Sequence, residues 1–296
     1  MLRVVERPVR EPGPDEVLVA VKAAAVNPTD IGLRERGLEG LEPPWVPGMD
    51  AAGIVEAVGD GVERLAVGDA VMAAVIPRRP EGGAQAELVV FPAASVVPIP
   101  AGATLQQAAT LPMNGLTALL GLELLALAEG QTLAVSGGAG LLASYAIALA
   151  KLRGLRVIAD AKPEDEPLVR SFGADVVLPR GDGFPAAVRD IAPEGVDGFF
   201  DTALLGRSAF PAIRDGGGMA VVRGWDGSET ERGIEIHIVM VPTALERTDW
   251  LEELRELASQ GRLALRVAGE YTAEQAAEAH QAMEAGGLRG RAVIVF

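Results

Sequence analysis

Two hydrophobic patterns divide the chain near residue 100. Before it, short apolar runs at 16–22, 51–58, 70–76 and 87–91 are separated by glycine and proline, which is typical of the strands of a β-barrel or sandwich. After residue 131, strand-like runs alternate with helix-like runs, and this alternation predicts a parallel, doubly wound sheet. The patterns together predict an α/β chain of two domains.

The periodicity also predicts where the individual elements lie. In the second region, strands are expected at 132–136, 155–159, 175–178, 197–201, 219–223 and 234–241. Helices are expected between them at 140–153, 164–172, 184–191 and 205–214. Residues 105–113, 115–127, 247–260 and 272–286 also carry helical periodicity, and 291–296 is expected to form a closing strand.

A glycine cluster stands between the first strand and the first helix of the alternating region. Residues 138–143 fit the fingerprint G-x-G-x-x-G/A, in which glycines allow a tight turn and a close approach of the backbone to a pyrophosphate. The helix N-terminus then offers N–H groups and partial positive charge to the phosphates. The candidate cofactor contacts are therefore Gly138, Ala139, Gly140, Leu141 and Leu142. The alternative is an ordinary βαβ unit that binds nothing.

The end of the next strand carries an acid and a base. Asp160 lies where the fingerprint expects a carboxylate on the ribose 2′-hydroxyl, which favours NAD. Lys162 lies two residues on, and Arg180 follows the strand after that. Either cation could reach a 2′-phosphate, which favours NADP, or could be a solvated surface group.

Composition narrows the function classes. Lys and Arg total 26 against 41 Asp and Glu, a formal charge of −15, which disfavours a nucleic-acid partner. The chain has no cysteine and two histidines, which excludes disulfides, thiol nucleophiles, thiolate metal sites and His-rich metal sites. No uncharged apolar run reaches the roughly 18 residues of a membrane span, and the first residues do not read as a signal peptide. We therefore expect a cytoplasmic protein without a membrane partner.

Several segments, taken in order, resemble the zinc-free quinone oxidoreductase (zeta-crystallin-like) branch of the medium-chain dehydrogenase/reductase superfamily. They are RPVREPGPDEVLV at 7–19, AVNPTD at 25–30, PGMDAAGIV at 47–55, VGDAV at 67–71, GGAQAE at 82–87, LPMNGLTA at 111–118 and RGR at 289–291. The resemblance implies a GroES-like β-barrel formed by 1–100 and 262–296. It also implies a Rossmann domain at 101–261, with the cofactor in the cleft between the two domains.

The resemblance also implies an assembly and a set of site residues. Family members are often homodimers that pair edge strands, here 234–240, although a simple buried strand explains this segment equally well. Asn27 and Asp30 would lie on the loop that faces the nicotinamide. Asn27 would donate to the substrate oxygen or the ribose, and Asp30 would order the loop, while an Asn-Pro turn is the alternative. Further cofactor contacts are expected at Asn114, Thr117 and Arg291, and Asn114 could instead cap a helix.

One departure bears on the reaction. Zinc-dependent relatives have cysteine where this chain has Asn27, and His-Glu where it has Met49-Asp50. Zinc prefers nitrogen and sulfur donors in tetrahedral geometry, so we expect no zinc. A nicotinamide hydride then needs an acceptor that spreads its own negative charge, which favours quinones and α,β-unsaturated carbonyls.

The sequence favours one cofactor and one function but leaves alternatives to each. The two cations and the family's habit favour NADPH, with NADH possible. The function expected is NADPH-dependent reduction of a small-molecule quinone or enone. The alternatives are a biosynthetic enoyl or ketone reductase of narrow specificity and a non-catalytic nucleotide-binding redox sensor.

Overall fold

The structure is a computed structural model that describes residues 2–296, so Met1, the first residue of the expected barrel domain, lies outside the described residues. The chain forms two compact units: one runs to Met113 and resumes at Pro242–Phe296, and the other is Asn114–Val241. The boundaries expected from the resemblance were 100/101 and 261/262. The difference arises because the helices at 105–108 and 248–259 pack on strands of the first unit.

The regular elements are numbered in chain order. The strands are β1 (Glu16–Ala25), β2 (Asp50–Val58), β3 (Ala70–Ala74), β4 (Leu88–Pro92), β5 (Val96–Pro98), β6 (Thr132–Ser136), β7 (Arg156–Ala161), β8 (Val176–Pro179), β9 (Val196–Asp201), β10 (Ile213–Val221), β11 (Glu235–Ile238), β12 (Val267–Thr272) and β13 (Arg291–Val295). The helices are α1 (Pro28–Arg36), α2 (Leu105–Ala108), α3 (Pro112–Leu125), α4 (Leu141–Leu152), α5 (Glu166–Ser171), α6 (Phe184–Ile191), α7 (Thr248–Ser259) and α8 (Ala276–Ala285).

The first unit is built on a seven-stranded sheet. Its strands follow the order β12-β13-β1-β2-β3-β5, and β4 also pairs with β1. The last strand of the chain, β13, pairs antiparallel with β1, so the C-terminal segment rejoins the N-terminal sheet as the resemblance implied. Alternating valines of β1, among them Val17, Val19 and Val21, are fully buried in the core of this sheet.

Helix α1 was not expected, because residues 27–30 had suggested only an Asn-Pro turn. Pro28 takes the first helical position, where its missing N–H costs no hydrogen bond. The Asp30 carboxylate accepts the backbone N–H of Asn27 at 2.8 Å and brings negative charge to the helix N-terminus. These local interactions turn the Asn-Pro turn into the start of a nine-residue helix.

The second unit is a parallel six-stranded sheet in the order β11-β10-β9-β6-β7-β8. The chain runs outward from β6 to β8, then returns beside β6 with β9 and continues to β11. The topological switch point therefore lies between β6 and β9, where doubly wound sheets bind their ligands. The expected parallel α/β fold is confirmed.

One predicted helix of this unit is shorter than expected and is not an α-helix. A helix was expected at 205–214, and the structure has a 3₁₀ helix at Gly206–Ala212, after which β10 begins at Ile213. Pro211 lies inside the segment and lacks the N–H that an α-helix would need there. The apolar residues that had suggested a helix, Ala209 and Phe210, instead pack into the core from the turn.

The strand expected at 234–240 is shorter than predicted and lies at the sheet edge. Strand β11 pairs on one side with β10 and has no second neighbour among the described strands. Val239 donates its N–H to Val221 O at 2.9 Å, and because alternate residues of a ladder face the same neighbour, the N–H of Ile238 points away from β10. Ile238 and Met240 are 42% and 54% exposed. A strand is therefore available for edge pairing, and the homodimer itself stays a prediction.

The stretch Leu105–Leu125 is long and apolar enough to cross a membrane by length and composition alone. Its most apolar window is, however, 78% buried inside the protein. The stretch is also divided between α2 and α3. Helices α2 and α3 are therefore buried to the degree that is typical of core helices.

Candidate functional site

A backbone cradle lies between β6 and α4, at the switch point of the parallel sheet. Gly137 has φ +72°, a conformation that side chains other than glycine rarely adopt. A Cβ on Gly138 would lie 2.5 Å from the backbone oxygen of Asp160. The loop can follow this path only because both positions are glycine.

The start of α4 is suited to an anion. Gly140 precedes the helix in extended conformation, and no side chain caps this end. The first N–H groups of a helix have no partner within the helix, and here they belong to Leu141, Leu142 and the residue after them. The cradle therefore fits the pyrophosphate of a dinucleotide, with Gly138, Ala139 and Gly140 supplying the backbone that the phosphates would approach.

Asp160 is turned toward this loop. Its carboxylate is 4% exposed, and Oδ1 accepts the N–H of Gly138 at 2.9 Å. Burial raises the pKa of Asp160, while the hydrogen bond from Gly138 and the charge of Arg180 act in the opposite direction. The Asp160 side chain therefore holds the glycine loop against the end of β7, in addition to any contact with a ribose.

The two candidate cations stay accessible at the same end of the sheet. Lys162 follows β7 and Arg180 follows β8, and both are exposed. Arg180 donates its backbone N–H to Ala161 O at 2.9 Å, which ties it to the end of β7. The charge of Arg180 acts on Asp160, while the Arg180 side chain itself stays exposed.

A second carboxylate, which was not among the predicted site residues, lies at the end of β9 and supports the strand that leads into the glycine loop. Asp201 ends β9, is 2% exposed, and accepts the hydroxyl of Ser136 at 2.8 Å. It also accepts the N–H groups of Leu205 and Gly206 at 3.0 and 2.8 Å. An acid at the end of an apolar strand, next to the switch point, was the signal that could have found it.

The first unit contains a separate buried polar network. Asn27 donates its amide Nδ2–H to Asp50 Oδ2 at 2.6 Å, and its Oδ1 accepts Arg291 Nε–H at 3.0 Å. Asp50 Oδ1 accepts the backbone N–H of Met113 at 2.6 Å. Asn27 and Arg291 were both predicted site residues, and the structure brings them into direct contact. Asp50 was not predicted.

Asp30 lies beside this network and orders the segment around it. Its two carboxylate oxygens accept the backbone N–H groups of Asn27 and Gly48, each at 2.8 Å. Burial raises the pKa of Asp30 to about 6, against the effect of these two hydrogen bonds and of the Arg291 charge. Both oxygens are engaged by backbone, so Asp30 joins α1 to the segment before β2.

Asp50 is the more strongly perturbed carboxylate. It is fully buried, and burial raises its pKa to about 7. The hydrogen bonds from Met113 and Asn27 and the charge of Arg291 lower the pKa, whereas the charge of Asp30 raises it further.

The donor set at the positions of the zinc ligands of relatives does not suit zinc. The sulfur of Met49 accepts the hydroxyl of Thr29 at 2.9 Å, and Asn27 and Asp50 are hydrogen-bonded to each other. A thioether, an amide and a single carboxylate are not the tetrahedral thiolate and imidazole set that zinc prefers. Within residues 2–296, no group of three or more His, Cys, Asp or Glu side chains could hold a metal ion.

Two further predicted contacts lie on α3. Asn114 is 4% exposed in the first turn of this helix, and Thr117 lies half-buried one turn later. Both side chains therefore share one helix, as their spacing implied. Their contact with a cofactor stays a prediction.

Comparison with known proteins agrees with this architecture. Residues 13–101 match the alcohol dehydrogenase GroES-like domain, and residues 172–294 match the zinc-binding dehydrogenase domain. A zinc-type alcohol dehydrogenase-like protein of Staphylococcus epidermidis is 28% identical over 96% of this chain and 91% of its own length. A chloroplastic NADPH-dependent alkenal/one oxidoreductase of Arabidopsis thaliana is 34% identical over 71% of this chain, which spans 55% of that protein.

A solved structure extends the likeness over the whole chain. A mycobacterial protein in complex with NADPH superposes with a TM-score of 0.86 at 28% identity, covering 99% of this chain and 95% of its own. The match therefore includes both sheets as well as the glycine loop. From the two domain matches, the strand order and this likeness, the chain belongs to the medium-chain dehydrogenase/reductase superfamily of oxidoreductases.

Proposed function

We propose that this protein is a zinc-independent reductase that uses NADPH to reduce a quinone or an α,β-unsaturated carbonyl. The observation that carries the proposal is the backbone cradle at the switch point, with Gly138 held by Asp160 and an uncapped α4 beyond it. The likeness to an alkenal/one oxidoreductase and to an NADPH-bound structure supports the same class. A bound nicotinamide would supply the hydride.

The glycine loop and the first turn of α4 would bind the pyrophosphate through backbone N–H groups. Asp160 would keep the loop in place, since its Oδ1 already accepts the Gly138 N–H. Lys162 and Arg180 would face a 2′-phosphate from the ends of β7 and β8, where both side chains are exposed. Because Asp160 is drawn onto the loop and two cations stay accessible, we propose NADPH as the preferred cofactor.

The acceptor class follows from the buried network of the first unit. Asn27 is oriented by Asp50 and Arg291, and we propose that it contacts the substrate oxygen or the cofactor ribose. A neutral amide stabilises developing negative charge less than a metal ion does. Conjugated acceptors, which delocalise that charge themselves, are therefore the substrates that this site suits.

The first experiment measures oxidation of NADPH and NADH at 340 nm with an ortho-quinone, with a conjugated enone, and with no acceptor. We expect acceptor-dependent oxidation that is faster with NADPH and unchanged by EDTA. Loss of activity with EDTA and its return with zinc would contradict zinc independence. Tight binding of a reduced cofactor without turnover of any acceptor would contradict the reductase and favour a redox sensor.

The breadth of the acceptor profile separates the remaining enzyme hypotheses. Turnover of several unrelated quinones and enones supports a general reductase. Turnover of a single enoyl compound supports a biosynthetic enzyme of narrow specificity. The homodimer through β11 and the cytoplasmic location stay predictions.

A further inference from the structure

Asp50 holds two separate parts of the first unit through one buried carboxylate. It is the first residue of β2 and has no exposed surface. A buried carboxylate is costly unless its oxygens receive hydrogen bonds, and each oxygen of Asp50 receives one at 2.6 Å. Because the two short hydrogen bonds come from different directions, the carboxylate has a single favourable orientation. Its two partners are held in place by the same bonds.

The first partner is the start of α3. This helix begins at Pro112, which has no N–H, so Met113 supplies the first N–H group that needs a partner outside the helix. Asp50 accepts it, from more than sixty positions earlier in the chain. A negative charge at this end also stabilises the helix dipole. Asp50 thus fixes the first turn of the helix that carries Asn114.

The second partner is Asn27, whose amide has two possible orientations. In its ionised form Asp50 can only accept, so it holds the Nδ2 side of the amide toward itself. The Oδ1 side then faces Arg291, whose Nε–H it accepts at 3.0 Å. If the amide turned over, it would set its NH₂ group against the donor of Arg291 and its oxygen against Asp50. One carboxylate therefore decides how Asn27 and Arg291 are presented.

We propose that Asp50 is a positioning residue for the reduction, which fixes the Asn27 amide and the first turn of α3 in the arrangement that hydride transfer requires. This inference rests on the proposed function. Asp50 acts through its partners, so its removal should slow the chemical step more than it weakens cofactor binding, to which the glycine loop of the other unit contributes the pyrophosphate contacts.

The test compares Asp50→Asn, Asn27→Ala and the double variant with the wild type. An asparagine at position 50 has one oxygen and one NH₂ group, so it must oppose a donor with a donor at either Met113 or Asn27. In stopped-flow single turnovers with NADPH and an enone at pH 8, where Asp50 is ionised, we expect Asp50→Asn to slow hydride transfer about 30-fold, the order of one charged hydrogen bond. The NADPH dissociation constant, from fluorescence titration, should change less than about threefold.

The double variant shows whether Asp50 acts through Asn27. If it does, Asn27→Ala already removes most of what Asp50 controls, and the double variant is no more than about threefold slower than Asn27→Ala alone. Multiplying effects would instead show two independent contributions and overturn the proposal. If Asp50→Asn accumulates only as insoluble protein, Asp50→Glu replaces it. The rate of its double variant with Asn27→Ala is then compared in the same way.

Asp197→Asn is the matched control. Asp197 is also a carboxylate that accepts a backbone N–H, from Thr132 at 2.8 Å, together with side-chain donors, but it lies at the amino end of β9, away from the glycine loop. We expect it to lower the melting temperature without slowing hydride transfer. Slowing equal to that of Asp50→Asn would show a general effect of destabilisation and overturn the proposal.

The rate of hydride transfer by the wild type distinguishes a failure of this proposal from a failure of the function on which it rests. Wild-type protein that transfers hydride to no acceptor contradicts the proposed function and the role of Asp50 with it. An active wild type with Asp50→Asn rates within threefold of it contradicts the role of Asp50 alone.

Discussion

Removing the buried carboxylate of Asp50 should change how the protein's stability depends on pH. Burial raises the pKa of Asp50 from 3.8 to about 7, so the folded protein keeps this proton at pH values where the unfolded chain has lost it. The stabilisation from the bound proton is complete below pH 3.8 and is lost as the pH rises through about 7. Asp50→Asn carries a permanently neutral side chain of the same shape and should lack this loss.

The magnitude follows from the two pKa values. A group that titrates near 7 when folded and at 3.8 when unfolded contributes roughly 3 kcal/mol less to the free energy of unfolding at pH 8 than at pH 5. Carboxylates away from this network, such as Glu16 with its pKa lowered to about 2, are present in both proteins. Their contributions largely cancel in the difference between wild type and variant.

Urea unfolding at pH 5, 6, 7 and 8 measures this difference. Trp225 belongs to the second unit, whereas Trp45 and Trp250 belong to the first. A Trp225→Phe background therefore makes tryptophan fluorescence report the unit that contains Asp50. The stability of wild type relative to Asp50→Asn should fall by roughly 3 kcal/mol from pH 5 to pH 8. A difference that stays constant over this range would refute the assignment of a raised pKa to Asp50.

Four further variants test the cradle, the cofactor preference and the edge strand. Gly138→Ala would place its Cβ 2.5 Å from a backbone oxygen and should abolish NADPH binding in a fluorescence titration, whereas Gly140→Ala, with its nearest atom at 3.1 Å, should bind more tightly than that variant. Equal loss in both would contradict the geometric argument. Arg180→Ala should raise the dissociation constant of NADPH and leave that of NADH unchanged, and equal effects on both would remove the phosphate role. Ile238→Pro removes an N–H that faces away from β10, so size-exclusion chromatography should show a folded monomer in place of the predicted dimer, and an unchanged elution volume would contradict pairing through β11.

Local patterns predicted the second unit well. The alternation of strand and helix, the glycine cluster and the acid at the end of β7 are all short-range features. The structure contains the parallel sheet and the tight loop, and Asp160 accepts the N–H of Gly138 in that loop. The helix predicted at 205–214 is a shorter 3₁₀ helix because Pro211 lacks the N–H that an α-helix would need there. The start of α1 was missed although its signals, Pro28 and Asp30, are equally local.

The sequence by itself determined the fold class, the superfamily and the position of the glycine loop, because hydrophobic periodicity and turn chemistry depend on neighbouring residues. Only the tertiary structure decided which polar groups are buried together. Residues 27, 50, 113 and 291 meet in one network although they lie far apart in the chain, and Asp50 looks ordinary until its burial is known. A carboxylate's pKa and partners depend on the groups that folding places around it, and those groups come from strands and helices whose pairing no local pattern encodes.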